Sequence, residues 1–230
     1  RVCQNYGIFS ENKELSRLSV IAQKYYSDDK LHGFGEYDYT LRWDNKPLLE
    51  QIRGQIIPLV EYQINTFNRK KVIEIGTSNG DVLAYLAEKY PDVEFIGVDL
   101  SVKNAVVKHN QKNLKFIKGY ALDLFEKGEL GADLVFGVST WCIFTPLELE
   151  AYLRSMKKIK SVVIGEPVTF GNSHGYSKKC ESLHMDLYMW WHNYYGYLLK
   201  NKFNIDEYKT INYKLSHNPN GKMCLISGHR

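Results

Sequence analysis

The middle of the chain alternates short apolar segments with segments of helical periodicity, and this alternation constrains the fold most strongly. The strand-like segments are 71–75, 93–98, 114–118, 133–138 and 161–165. The segments with helical spacing of apolar residues are 81–90, 101–109 and 148–157. Strands that alternate with helices predict an α/β fold with a doubly wound, mostly parallel sheet and helices on both faces.

The two ends of the chain differ from this middle. Residues 203–214 and 222–229 are strand-like with no helix between them, and they predict an antiparallel hairpin at the sheet edge. The aromatic range 181–200 is interpreted as one long helix. Residues 1–68 are predicted to be an N-terminal helical cap on a sheet domain of residues 69–230, with a helix from 47 to 65 interrupted near Gly54 and Pro58.

Composition excludes several classes of protein. The 30 Lys+Arg residues exceed the 26 Asp+Glu residues by only four charges, which does not by itself indicate a nucleic-acid partner. The four cysteines lie far apart with no CxxC spacing, so we expect reduced thiols, no structural zinc and a cytoplasmic location. No apolar run reaches the roughly 18 residues of a membrane span.

A glycine-rich turn joins the first predicted strand to the first predicted helix. It runs from Gly76 to Gly80, and Asp99 follows nineteen residues later at the end of the second strand. Backbone can approach a ligand closely at such a turn, and the acid can accept hydrogen bonds from ribose hydroxyls. A dinucleotide is disfavoured, because Ser78 and Asp81 occupy two glycine positions of that fingerprint and Asp81 would repel a pyrophosphate.

The same stretch resembles the Rossmann-like (class I) S-adenosylmethionine-dependent methyltransferases. Their first motif, an acid followed by alternating small residues, matches Glu74, Gly76, Ser78 and Gly80. The strand-ending acid matches Asp99, and the motif after the third strand matches residues 119–121. Asp133-Leu-Val-Phe matches the start of the fourth strand. The resemblance covers roughly residues 70–230 and implies methyl transfer with S-adenosylmethionine as the cofactor.

The resemblance also implies which residues bind the cofactor. They are Glu74, Gly76, Thr77, Ser78, Gly80, Asp99, Leu100, Tyr120, Ala121 and Ser139. Two of them depart from the family pattern. Ser78 replaces a glycine, and Tyr120 replaces the aspartate that often meets the adenine amino group. We therefore expect backbone groups and stacking, for instance on Leu100, to hold the adenine.

The tip of the fourth strand narrows the chemistry. Residues 137–142 contain no proline pair, which disfavours the amino-methylating DNA enzymes of this fold. Cys142 follows a tryptophan rather than the proline favoured by pyrimidine C5 enzymes, so it is interpreted as a core residue. The tip carries no acid, and no metal is predicted. The segment after the fifth strand supplies the predicted catalytic residues Glu166, His174 and Tyr176, with His174 as the general base.

Two features bear on the acceptor and the partners. The aromatic residues of 181–200 predict buried core with a possible homodimer interface, or an acceptor pocket lined by His184, Tyr188 and Trp191. The range 101–118 contains lysines and no acid, which suits either a solvated helix face or an anionic substrate. We expect O-methylation of a small molecule or sugar. RNA or protein methylation on the basic face, or a non-catalytic binding protein of this fold, are the alternatives, and nucleic acid is the less favoured partner.

Overall fold

The computed structural model describes residues 20, 23–24, 27, 48–50, 52–168, 177–181, 188–212 and 222–230. The strands in these ranges are β1 (Lys71–Ile75), β2 (Glu94–Asp99), β3 (Leu114–Lys118), β4 (Leu134–Val138), β5 (Ser161–Val168), β6 (Ser177–Glu181), β7 (Tyr188–His192), β8 (Asn204–Asn212) and β9 (Lys222–His229). The α-helices are α1 (Ile57–Phe67), α2 (Asp81–Lys89), α3 (Lys103–Lys108), α4 (Ala121–Glu126), α5 (Pro146–Ser155) and α6 (Tyr194–Lys200). Short 3₁₀ turns occupy Leu48–Glu50, Arg53–Ile56 and Trp141–Ile143.

A seven-stranded sheet forms the centre of the described chain. Its strand order is β3-β2-β1-β4-β5-β9-β8, and strands β1 to β5 are parallel. Strand β9 pairs antiparallel with both β5 and β8. The predicted fold class, including the antiparallel hairpin at the edge, is confirmed. The order reverses between β1 and β4, and their carboxyl ends are where this class of sheet binds ligands.

Two apolar layers sandwich the sheet, as the period of two along each strand dictates. In β1, Ile73 and Ile75 belong to one layer and Val72 to the other. Helices α4, α5 and α6 cover the first face, and α1 and α2 cover the second. The sheet is thus buried on both sides, which accounts for the near-continuous apolar sequence of β4.

Helix α1 is the longest described element of the predicted N-terminal cap. Pro58 lies in its first turn, where a missing N–H costs nothing, and Asn68 ends it in a left-handed conformation with φ 51°. Its apolar side packs on the sheet layer that contains Val72. Residues 52–67 therefore form part of a layer of the sandwich. Most of residues 1–47 lie outside the described residues, and a division near residue 68 stays a prediction.

The predicted long helix over 181–200 is wrong. Strands β6 and β7 form a separate antiparallel hairpin, and only α6 at the end of this range is helical. In β7, Trp190 and His192 are buried whereas Trp191 is partly exposed, which is the alternation of a strand. Aromatic side chains favour strands, and the Asn193 side chain begins α6 by accepting the Gly196 N–H at 3.0 Å. The single long helix that was expected to carry a homodimer interface is therefore not formed.

Burial explains where the aromatic side chains of this range lie. Trp190, Tyr194 and Tyr197 are at most 3% exposed and belong to the core.

Within the described ranges, no helix combines the length and apolar character needed to cross a membrane.

Candidate functional site

The turn between β1 and α2 has a tightly determined backbone. Glu74 is buried in β1 and accepts a hydrogen bond from the Thr77 hydroxyl at 2.8 Å. Gly76 and Ser78 both have left-handed φ angles, 73° and 54°. A Cβ at Gly76 would lie 2.0 Å from Oγ1 of Thr140, so only glycine allows this turn to meet the turn after β4.

Asp99, at the end of β2, fixes that turn from the neighbouring strand. Its Oδ2 accepts the Ser78 N–H at 2.8 Å, and its Oδ1 accepts the Ser101 N–H at 3.2 Å. Burial raises the pKa of Asp99, and these backbone N–H groups counteract the rise. Each carboxylate oxygen keeps a further lone pair for a ligand hydroxyl.

The turn after β4 is held in the same way by β5. Ser139 has φ 52°, and its N–H donates to the Gly165 carbonyl at 2.9 Å. Glu166 is fully buried, and its Oε1 accepts the N–H groups of Thr140 and Trp141 at 2.8 Å each. Its Oε2 accepts the Cys142 N–H at 3.2 Å. Burial raises the pKa of Glu166 to about 7, against these hydrogen bonds.

A cavity of about 230 Å³ lies between these two turns, at the carboxyl ends of β1, β2 and β4. Seven of the ten predicted cofactor-binding residues line it: Gly76, Ser78, Asp99, Leu100, Tyr120, Ala121 and Ser139. Glu74, Thr77 and Gly80 lie behind the lining and shape the turn. Gly80 has φ 78° and precedes α2, where its N–H donates to the Thr77 carbonyl at 3.0 Å.

Tyr120 is tied to helix α5. Its hydroxyl donates to Oε1 of Glu148, whose Oε2 accepts the Thr145 N–H at 2.8 Å in the capping box of α5. The Tyr120 ring meets the edge of Tyr152 with 6.1 Å between centroids. Tyr152 also stacks on Phe144 at 4.4 Å, so this end of the cavity is a packed aromatic wall.

Comparison with known proteins identifies the domain that holds this cavity. A family model described as a methyltransferase domain matches residues 72–160, which include both turns. Residues 72–160 belong to a methyltransferase domain. The expected enzyme class, a methyltransferase, is thereby confirmed. The expected cofactor agrees with solved structures of the same fold that contain S-adenosylhomocysteine.

Three relatives of the methyltransferase illustrate the range of similarity. A tRNA (guanine-N(7)-)-methyltransferase of Thermotoga maritima is 37% identical over 60 residues, which are 23% of this chain and 19% of that protein. This chain therefore matches about a fifth of the length of that curated relative.

Two solved structures share the fold at low identity. The 1,6-didemethyltoxoflavin-N1-methyltransferase of Burkholderia thailandensis, with S-adenosylhomocysteine bound, is 13% identical with a TM-score of 0.61. That similarity covers 96% of this chain and 89% of the other. The N-terminal domain of EvdMO1, in the presence of S-adenosylhomocysteine and D-fucose, is 12% identical with a TM-score of 0.58, covering 75% and 82% of the two chains.

The cavity fits the methyl donor in its polar groups. Asp99 presents a carboxylate where a ribose would bind, and backbone of Gly76 and Ser78 borders the same space. The Ser139 hydroxyl oxygen is buried at the cavity and has no hydrogen-bond partner among the described residues. A bound donor would supply such a partner, which is what a site built for a polar ligand requires.

Several lining residues of the methyltransferase were not predicted from its sequence. They are Ile52, Arg53, Ile75, Val98, Gly119, Thr140, Ile143, Phe144 and Tyr152. The position of Thr140, Ile143 and Phe144 just after β4 is a signal that could have found them. Arg53 gives no such signal, since it lies in a turn before α1 and reaches the cavity only through the packing of that segment.

The predicted catalytic residues have different outcomes. His174 and Tyr176 lie outside the described residues. Glu166 lies behind the turn after β4 and does not line the cavity. Across the described residues, no group of three or more His, Cys, Asp and Glu side chains is arranged to hold a metal ion.

Proposed function

We propose that the methyltransferase transfers the methyl group to a hydroxyl of a small molecule or sugar. The observation that carries the proposal is the chemistry of the turn after β4. Its polar residues at the cavity are Ser139 and Thr140, whereas Cys142 is fully buried with its N–H bound to Glu166. A covalent attack by this thiol would need an exposed sulfur, so the arrangement supports direct transfer to the acceptor.

When bound, S-adenosylmethionine supplies an electrophilic methyl group on a sulfonium that leaves readily. The chain's own part is then to place the acceptor oxygen in line and to remove its proton. The described histidines are engaged elsewhere. Nε2 of His109 lies 3.0 Å from the Asn79 carbonyl oxygen, and Nε2 of His192 lies 2.9 Å from the Phe144 carbonyl oxygen. His229 pairs with Asp206 at 2.6 Å.

We therefore keep His174 as the proposed general base and Tyr176 as the next candidate. The same segment follows β5, the strand that neighbours β4 at the cavity. The structural relatives support a small acceptor, since one acts on didemethyltoxoflavin and another was crystallised with D-fucose present.

The test is a donor carrying a deuterated methyl group, incubated with a library of hydroxylated metabolites and sugars and read by mass. His174→Ala should lower turnover by about 10²–10⁴-fold and leave affinity for S-adenosylhomocysteine intact. Wild-type turnover should rise with pH through about 6.5, because the neutral imidazole is the base. A loss below about threefold in His174→Ala would remove His174 from this role, and Tyr176→Phe is the matched comparison.

RNA is the second candidate acceptor, favoured by the segment shared with the tRNA methyltransferase. Its proposed surface is the basic face, which we define as Lys103, Lys108, Lys112, Lys115 and Lys118. Lys108 pairs with Asp81 at 2.7 Å and Lys115 with Glu94 at 2.6 Å, so part of this positive charge is compensated. Methylation of total RNA, together with an affinity for RNA that falls steeply with salt concentration, would support RNA as the acceptor. An affinity that does not change with salt concentration would exclude it.

The cytoplasm is the proposed location, in keeping with Cys142 and Cys224, which are buried and form no disulfide. A homodimer stays a prediction with no surface assigned to it.

A further inference from the structure

Glu166 continues the hydrogen bonding of the sheet beyond the point where β4 and β5 separate. Their paired register ends at Val138 and Gly165, and the Ser139 N–H still reaches the Gly165 carbonyl. The next three N–H groups of the chain, residues 140–142, then donate to the Glu166 carboxylate. One buried side chain thus replaces the strand partner that this turn lacks.

The turn that Glu166 holds is a wall of the donor cavity, although Glu166 itself is not. Ser139, Thr140, Ile143 and Phe144 all line the cavity. The far end of the turn has a second support, because Nε2 of His192 is 2.9 Å from the Phe144 carbonyl oxygen. A carbonyl only accepts, so this nitrogen carries the proton, and burial lowers the pKa of His192 to about 3, which keeps the ring neutral.

The ionised form of Glu166 satisfies three N–H donors on two oxygens most fully. A carboxylate only accepts hydrogen bonds, so it satisfies all three donors. A protonated acid or an amide places a hydrogen on one of its two terminal atoms. In the amide that atom only donates and opposes an N–H group, and in the protonated acid it is a hydroxyl oxygen that accepts more weakly. The single, longer contact with Cys142 is the one most easily lost.

We propose that Glu166 is a positioning residue for methyl transfer, which holds the turn of residues 139–142 against the methyl donor and does so only as a carboxylate.

Glu166 is also the group in this cluster that changes charge near neutral pH. Among the described residues, the titratable groups that face it are Cys142 in the turn, Cys224 on β9 and Tyr194 on α6. The Cys142 thiol donates to the carboxylate and lowers its pKa. Burial raises the pKa of Cys224 to about 12 and that of Tyr194 well above its ordinary value, so both stay neutral while Glu166 titrates near 7.

The experiment measures the dissociation constant of S-adenosylhomocysteine by calorimetry from pH 6 to pH 8.5, in the full chain. Wild type should bind about tenfold more weakly at pH 6 than at pH 8, since protonation removes one hydrogen-bond acceptor. Glu166→Gln, which keeps the shape, should bind as weakly as wild type at pH 6 and show no step near pH 7. Wild-type affinity in Glu166→Gln at pH 8, or a retained step near pH 7, would overturn the proposal.

Asp206→Asn is the matched control for a loss of stability alone. Asp206 is also a largely buried acid, and it accepts from Gln63 at 2.6 Å. Asp206 pairs with His229, and His229 lies opposite Ser161 at the start of β5. Asp206 is therefore at the amino ends of the parallel strands, whereas the cavity is at their carboxyl ends. Asp206→Asn should lower the melting temperature with no change in the dissociation constant. If Glu166→Gln does the same, its role is merely structural and the proposal fails.

Glu74 titrates in the same experiment, because burial raises its pKa to about 8. Glu74→Gln should therefore remove a step near pH 8 and keep the step near pH 7. This variant also decides the matter if Glu166→Gln does not fold. A step near pH 7 that survives in Glu74→Gln supports the proposal, and a flat profile between pH 6 and pH 7.5 overturns it.

Discussion

Replacing Asp99 tests the proposed binding of ribose at the cavity most directly. Its carboxylate accepts the N–H groups of Ser78 and Ser101 and borders the cavity. In Asp99→Ala the bound donor loses a charged acceptor, which costs about 2–3 kcal/mol of binding free energy. That corresponds to a dissociation constant about 30–150-fold weaker.

Asp99→Asn separates the charge from the hydrogen bonds. The amide keeps one acceptor oxygen, but its NH₂ group must face either the Ser78 or the Ser101 N–H. We expect an intermediate loss of about 5–30-fold for S-adenosylhomocysteine. Calorimetry measures both variants, and their melting curves establish that they are folded.

The outcome that refutes this reasoning is specific. If folded Asp99→Ala binds S-adenosylhomocysteine within about threefold of wild type, Asp99 does not hold the ribose, and its role is limited to fixing the backbone of Ser78.

Three further predictions concern residues that line the cavity or shape the turn beside it. Arg53 is the cation that lines the cavity among the described residues, and we expect it to contact the carboxylate of S-adenosylhomocysteine. Arg53→Met should therefore weaken the binding of S-adenosylhomocysteine about 5–30-fold and leave the binding of its decarboxylated analogue unaffected. Equal losses of affinity for the two ligands would contradict this contact. Glu74 has a folded-state pKa of about 8, above its unfolded value, so its contribution to stability falls by up to about 1.4 kcal/mol per pH unit from pH 5 to pH 8. In Glu74→Gln the free energy of unfolding of the ligand-free protein should lose this dependence on pH. An unchanged pH dependence would be evidence against the raised pKa. Gly76→Ala places a Cβ 2.0 Å from Thr140, so it should lower the free energy of unfolding by more than about 2 kcal/mol and abolish donor binding. The control is Gly128→Ala, which has φ 74° but no atom within 4 Å of the new Cβ and should cost about 1 kcal/mol. Similar losses of stability in the two variants would exclude the close contact as the cause.

The central sheet and much of the cavity lining could be predicted from the sequence because their signals are local. β-branched runs define β1 to β5, and the turn at Gly76 with the acid at Asp99 lies within one strand–helix–strand unit. Seven of ten predicted residues consequently line the cavity.

What was missed depends on contacts distant in sequence. Arg53 reaches the cavity through packing of the segment before α1, and the roles of Glu166 and His192 depend on strands β5 and β7 meeting the turn after β4. The helix over 181–200 was wrong because bulky aromatic residues look apolar at either period. In the folded chain Trp190 and His192 are buried and Trp191 is partly exposed, and this alternation favours a strand over a helix.

The two left-handed serines have a consequence for the rate at which the donor binds. Ser78 and Ser139 hold conformations that cost a non-glycine residue about 1–2 kcal/mol, and folding has already met that cost. Asp99 and the buried Glu166 keep both turns in place before any ligand arrives. These two turns then have little conformational entropy left to lose on association, so we expect no rearrangement of either turn to limit how fast a donor is captured.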